Sequence, residues 1–144
     1  MRTSTQIETA SVLVGEEKAV EYVAKAGFDA WDFSMFAMCD YDWRLGAVRP
    51  TTHPLAGENY LAFARKLKQI GLDNGITCNQ SHAPFPSRGP IIPYLKRALE
   101  CTAEAGGKIC IIHPDRSAVF STSVRRRAEK ACNWRIFCPV PAVW

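Results

Sequence analysis

The sequence predicts an α/β fold of about four βα units with parallel strands. Short apolar runs alternate along the chain with longer amphipathic segments, which is the pattern of repeated βα units. Glycine follows each of the first three amphipathic segments, where it can end a helix in the left-handed conformation. Parallel strands joined by helical crossovers are the topology that fits this order of elements.

The first unit combines a weak, mostly polar strand at residues 2–7 with a helix that follows Gly15. Glu16 and Glu17 suit the positive N-terminal end of that helix, and Gly27 fits the position just after its end. Its predicted apolar stripe consists of Ala19, Val20, Val23 and Ala24.

The second unit begins with a strand at residues 28–35 and ends with a helix at residues 58–74. Gly71 weakens this helix, and Gly75 ends it. Residues 36–57 between them are predicted to be a long loop, and loops of this length in compact domains are usually functional or disordered.

The third unit has a strand at residues 76–81 and a helix whose first turn contains Pro93. Gly106 and Gly107 stop that helix. A fourth strand is predicted at residues 108–112, and a further helix at residues 124–137. Four such units are half of an eight-unit barrel, and a whole barrel needs about 250 residues.

The chain has 144 residues and a net charge of +4, and this charge is unevenly distributed. Residues 115–144 hold six basic and two acidic side chains, whereas residues 1–114 hold twelve of each. The neutral body lacks the basic surface that nucleic-acid binding requires, so no nucleic-acid partner is expected. The Arg125-Arg126-Arg127 run is interpreted as a solvated face.

Cysteine spacing and hydropathy exclude other classes. None of the six cysteines forms a C-x-x-C pair, so neither a zinc ribbon nor a thioredoxin site is predicted, and free thiols are expected. Cys78 and Cys110 are interpreted as buried in strands. No apolar run approaches the roughly 20 residues of a membrane span, and the N-terminus lacks the apolar stretch of a signal peptide. We therefore expect a cytoplasmic protein without a membrane partner.

Two histidines close neighbouring predicted strands, His82 the third and His113 the fourth. Ligands of parallel α/β folds bind at the carboxyl ends of the strands, so these imidazoles are candidates for substrate binding, for proton transfer or for a shared metal. Asp32, predicted to close the second strand, is a candidate hydrogen-bond acceptor for substrate. The alternatives are a hydrogen-bonded structural histidine at a turn and an ion-paired or capping Asp32. His53, in the long loop, is predicted to be exposed or to cap the loop.

Several segments resemble the xylose-isomerase-like superfamily of sugar phosphate isomerases and epimerases. The resemblance rests on Gly27-Phe28-Asp29-Ala30-Trp31-Asp32-Phe33-Ser34, on His82-Ala83-Pro84-Phe85 and on Ile112-His113-Pro114. It implies a partial (β/α)₈ TIM barrel at residues 1–115, followed by a divergent basic tail at residues 116–144. It also implies a divalent metal (Mn, Mg, Co or Zn) and proton transfer beside the carbonyl of a small sugar or keto acid.

The same superfamily contains zinc phosphodiesterases of the endonuclease IV type, in which His82 and His113 would be metal ligands. The family's remaining ligands lie on later strands that this sequence lacks. We therefore expect a truncated or frame-shifted coding sequence and a chain that is inactive alone. A non-catalytic half-barrel, or a homodimer through the open barrel edges, is the third alternative.

Overall fold

The computed structural model describes residues 1–87 and 89–114, so the predicted basic tail and its helix lie outside the described residues. Within the described residues, four parallel strands form the main sheet, and strands that are neighbours in space follow one another along the chain. The strands are β1 (Ser4–Gln6), β2 (Ala30–Ser34), β5 (Thr77–His82) and β6 (Cys110–Ile111). The predicted α/β class is confirmed.

Three helices form a layer over one face of this sheet, with the second packed against the first and the third against the second. They are α2 (Glu16–Lys25), α3 (Tyr60–Asp73) and α4 (Ile92–Ala105). α2 and α3 bury residues of their predicted apolar faces, such as Val20 and Leu67. The periodicity of α4 predicts a buried face at Leu95, Ala98, Leu99, Thr102 and Ala103. This face is only partly correct, because Leu99 and Ala103 are exposed and Cys101 and Ala105 are buried in their place. The stops of all three helices are as predicted, because Gly27, Gly75 and Gly106 all have positive φ.

Gly71 has a packing role that explains its place inside α3. A Cβ at this position would lie 2.8 Å from the indole Nε1 of Trp31 and 3.1 Å from the carbonyl oxygen of Ile76. Glycine therefore lets the fully buried Trp31 approach the helix backbone. The indole N–H finds no hydrogen-bond acceptor among the described residues.

The predicted loop at residues 36–57 contains more structure than expected. Strands β3 (Asp40–Asp42) and β4 (Ala47–Arg49) form an antiparallel hairpin between two short 3₁₀ turns, Phe36–Met38 and Pro54–Ala56. Asp42 Oδ1 accepts from the backbone N–H groups of Arg44 and Leu45 at 2.8 and 3.0 Å, which closes the turn.

A short helix, α1 (Glu8–Val14), was not predicted from the sequence either. It buries no residue, and Val12 and Leu13 are about 80% exposed, so no apolar stripe reveals it. The first strand is correspondingly shorter than predicted. No helix in the described part of the chain is long and apolar enough to cross a membrane.

Candidate functional site at the carboxyl ends of the strands

The structure places His82 and His113 side by side. His82 is the last residue of β5, and His113 follows the end of β6 by two residues. The two strands pair in parallel with His82 opposite Ile111, so both imidazoles reach the same rim of the sheet. Their ring centroids are 6.0 Å apart with an interplanar angle of 24°, which is a stacked pair.

These two imidazoles belong to a continuous line of six rings across the rim. Successive centroids are 5.0 to 6.5 Å apart, within the range of favourable ring contacts. In order, the rings are Tyr41, Trp43, Phe85, His113, His82 and Phe36. The β3–β4 hairpin thus brings two aromatic side chains to the histidines, and Trp43 remains 60% exposed. This contribution was missed because residues 36–57 were predicted to be a loop, although its aromatic content was visible.

His82 is in an environment that favours the neutral imidazole. Burial lowers the pKa of His82, and the neighbouring His113 lowers it further. The carboxylates of Asp32 and Glu8 act in the opposite direction, but the resulting pKa still lies below the ordinary value. At neutral pH the ring can therefore accept a proton.

Glu8 is a rim residue that the sequence analysis missed. It is the first residue of α1, with only Ile7 between it and the end of β1, and its charge acts on the pKa of His82. The first strand was the weakest of the predicted elements, so its carboxyl end could not be located. The sequence feature that could have identified Glu8 is an acidic residue shortly after a strand, the position at which parallel α/β folds place residues of the site.

Asp32 does not close β2, because the strand continues to Ser34. Its carboxylate is nearly buried, at 7% exposure, and accepts hydrogen bonds from Asn79 Nδ2 at 3.1 Å and Gln80 Nε2 at 3.0 Å. Two consecutive amides reach one carboxylate because of a β-bulge in β5. Trp31 pairs with Cys78 and Asp32 with Gln80, so Asn79 is the extra residue.

His53 has a structural role, in line with the predicted loop cap. Its Nδ1 accepts from the backbone N–H of Leu55 at 3.3 Å, so the proton lies on Nε2, which is 2.7 Å from Glu16 Oε1. Burial opposes the ionisation of Glu16. The hydrogen bond from His53 and the one from the backbone N–H of Glu16 outweigh this effect and lower the pKa of Glu16.

Three of the four described cysteines are not candidates for thiolate chemistry. Cys39, Cys78, Cys101 and Cys110 are unpaired, as expected, and Cys110 is only partly buried. Burial raises the pKa of Cys39 to about 11 and those of Cys78 and Cys101 to about 12. These three thiols are therefore protonated at neutral pH.

A complete metal site is not formed by the described residues. Within residues 1–87 and 89–114, no three His, Cys, Asp or Glu side chains come together as a metal would require. His82 and His113 would supply two ligands, whereas a catalytic zinc has three from the protein. The described residues thus do not fit the metal centre that the resemblance implies.

Comparison with known proteins gives no relative: no family model, no curated protein and no solved structure matches this chain.

Proposed function

We propose, against the expectation of a chain that is inactive alone, that the rim binds a small sugar or keto acid and transfers a proton beside its carbonyl group, as an isomerase or epimerase does. The observation that carries this proposal is the stacked His82–His113 pair at the carboxyl ends of two neighbouring parallel strands. This is the end of a parallel sheet at which α/β enzymes place their reacting groups.

The chemistry of the rim supports this class of reaction. Removing a proton from the carbon beside a carbonyl requires a base that is neutral or anionic at the working pH. His82 meets this requirement, since its pKa lies below the ordinary value. The exposed ring of Trp43 offers an apolar surface on which the C–H face of a sugar could stack.

We further propose that the sheet is part of a (β/α)₈ barrel, as the sequence resemblance implies. The strands follow one another in chain order, and all three crossover helices lie in one layer. A doubly wound sheet would instead reverse its strand order and carry helices on both faces. The polar face that bears Asp32 would then point into the barrel.

The edges of the described sheet support a self-association proposal. β1 and β6 each have one neighbour in this sheet, and Ile109 and Ile112 beside β6 are exposed. Unpaired strand edges are templates for pairing with another chain. We expect light scattering to show dimers or larger species, whereas a monodisperse monomer at high concentration would contradict it.

Hydrogen–deuterium exchange tests the proposed activity. The purified chain is incubated in D₂O with hydroxypyruvate or a ketose, with and without Mn²⁺, and loss of the proton beside the carbonyl is followed by NMR. We expect exchange that His82→Gln reduces by about a hundredfold or more, within the range of general-base catalysis.

His53→Gln is the matched control, because it removes an imidazole outside the rim. Exchange should survive in this variant as long as it stays folded. No exchange above the buffer rate, or equal loss in both variants, would contradict the proposal. Cleavage of an abasic-site duplex in place of exchange would favour the zinc phosphodiesterase alternative.

A further inference from the structure

We propose that a second site, at the opposite end of the sheet, binds a small oxyanion such as a phosphate group. The chain forms a cleft of about 470 Å³ there. The residues that bring polar side chains to it are Arg2, Thr3, Ser4, Thr77, Asn79 and Lys108. The cleft therefore lies where the strands begin, whereas the rim histidines lie where they end.

The two sites are separated along the strands. β5 runs from Thr77 in the cleft to His82 on the rim. At about 3.3 Å per residue, this strand separates the two positions by roughly 16 Å. A ligand in the cleft would not touch the imidazole pair.

The charge around the cleft is positive. Arg2 and Lys108 line it. The Lys68 side chain lies beside Gly106 at the edge of the cleft, and its Nζ is 3.9 Å from the point that a Cβ on Gly106 would occupy. Within residues 1–87 and 89–114, none of these three cations forms an ion pair. Among the residues that the structure describes, no acidic side chain lines the cleft.

Asp29 is a nearby carboxylate, and its hydrogen bonds already hold it. Its Oδ2 accepts from the backbone N–H of Thr3 at 2.7 Å and from the Thr3 hydroxyl at 3.2 Å. These hydrogen bonds, with a smaller contribution from Arg2, lower the pKa of Asp29. The carboxylate is therefore anionic at neutral pH, but it points to Thr3 and leaves the guanidinium free to face the cleft.

Two hydroxyl groups of the cleft still have a hydrogen to donate. Arg2 Nη2 lies 3.5 Å from Thr77 Oγ1, an arrangement that keeps the guanidinium at the mouth and leaves the Thr77 hydroxyl hydrogen unused. Ser4 Oγ accepts from Asn79 Nδ2, so its hydrogen is also free. A guanidinium, an ammonium and two hydroxyls match the acceptor oxygens of a phosphate.

The chemistry of the cleft thus indicates an anion rather than a neutral sugar. Free inorganic phosphate and the phosphate group of a small metabolite share the chemistry that these donors recognise. The cleft volume is in the range of small-molecule sites, so it accommodates either.

Calorimetric titration with inorganic phosphate at constant ionic strength tests this site. We expect saturable binding in the millimolar range that Arg2→Gln and Lys108→Gln each weaken by about tenfold or more, as loss of a charged hydrogen bond does. Lys18→Gln is the matched control, because it removes the same charge from an exposed position on α2 away from the cleft. Its affinity should equal that of the parent chain.

Two outcomes would overturn the proposal. One is the absence of saturable binding, and the other is an equal loss of affinity in Lys18→Gln, which would indicate general charge attraction. Thr77→Val provides a check that leaves the charge unchanged, and it should weaken binding without altering the folded state by circular dichroism. His82→Gln should bind phosphate like the parent chain, which separates this result from that of the exchange assay. If glucose 6-phosphate binds more tightly than inorganic phosphate, a phosphorylated metabolite is the ligand.

Discussion

The two faces of the parallel sheet satisfy their side chains in different ways. On the helix-covered face, Trp31 and Phe33 are fully buried, and two hydroxyl groups pair internally, whereas the Trp31 indole N–H has no acceptor among the described residues. The Thr102 hydroxyl donates to the Ala98 carbonyl at 2.6 Å, so the Ser81 hydroxyl donates to Thr102 Oγ1 at 2.5 Å. The opposite face carries the Asp32 carboxylate and its two amides. The first face therefore provides stability, whereas the second leaves polar groups for ligands.

The largest expected effect is the loss of an aromatic ring on the helix-covered face. Phe33→Ala should lower the free energy of unfolding by about 3–5 kcal/mol, because it removes a fully buried ring and leaves a cavity. The neighbouring Ser34→Ala, on the opposite face, should cost about 1 kcal/mol or less. Urea denaturation measures both free energies of unfolding. Equal losses in the two variants would show that the two faces contribute equally to stability, contrary to this comparison.

A smaller loss is expected from adding one methyl group to the helix layer. Gly71→Ala should destabilise the chain by about 1–3 kcal/mol, since the new Cβ meets Trp31 Nε1 at 2.8 Å and backbone at 3.1 Å. Gly57→Ala is the control, because its Cβ would meet only Pro54 O at an ordinary 3.6 Å. Thermal unfolding that ranks Gly57→Ala as the worse variant would show that Trp31 does not pack against α3 in this way.

Asp32→Ala tests the face opposite the helices. It should lower the free energy of unfolding by about 1 kcal/mol, the net value of a typical hydrogen bond. Asn79 is exposed and Gln80 partly so, and water can therefore replace the carboxylate as their acceptor. Asp32→Asn, which keeps one acceptor oxygen, should cost less. A loss in Asp32→Ala that equals that of Phe33→Ala, measured in urea, would mean that this face also belongs to the core.

The smallest effect concerns pH and the His53–Glu16 pair. The pKa of Glu16 is lower in the folded chain than its ordinary value of 4.5. The pair therefore contributes stability that is fully present above about pH 4.5 and is lost as the pH falls through the folded-state value. Glu16→Gln should flatten the pH dependence of the unfolding free energy in that acidic range. An unchanged acid slope in the variant would contradict the pairing.

The sequence predicted the parts of the fold that depend on periodicity. The apolar faces of α2 and α3 and the glycines after all three helices were located correctly, because burial forces a helical repeat and left-handed ends require glycine. The face of α4 was located only in part, since Leu99 is exposed and Cys101 is buried. α1 was missed since it buries nothing, and the β3–β4 hairpin since its strands have three residues each. Short elements such as these depend on hydrogen bonds within turns. In the β3–β4 hairpin, the Asp42 side chain makes these bonds to the backbone of Arg44 and Leu45.

The candidate site was predictable in part for the same physical reason. Strand ends in a parallel sheet must share an edge, so the proximity of His82 and His113 followed from their order in the chain. The partners of Asp32 did not follow, because a bulge breaks the alternation of side chains that strand prediction assumes. The positions of Trp43 and Glu8 depend on the elements that were missed.

The bulge in β5 also bears on how the length of this strand can vary. Cys78 and Ser81 both face α4 although three positions separate them, an odd spacing that regular alternation forbids. Deleting Asn79 would restore the regular alternation and leave Cys78 and Ser81 on the side of the sheet that faces the helices. A relative one residue shorter here would therefore keep the same layered packing, but it would present Asp32 with one amide in place of two. Insertion or deletion at this point changes the polarity of one face without altering the other, so the polar face can diverge while the helix layer is conserved.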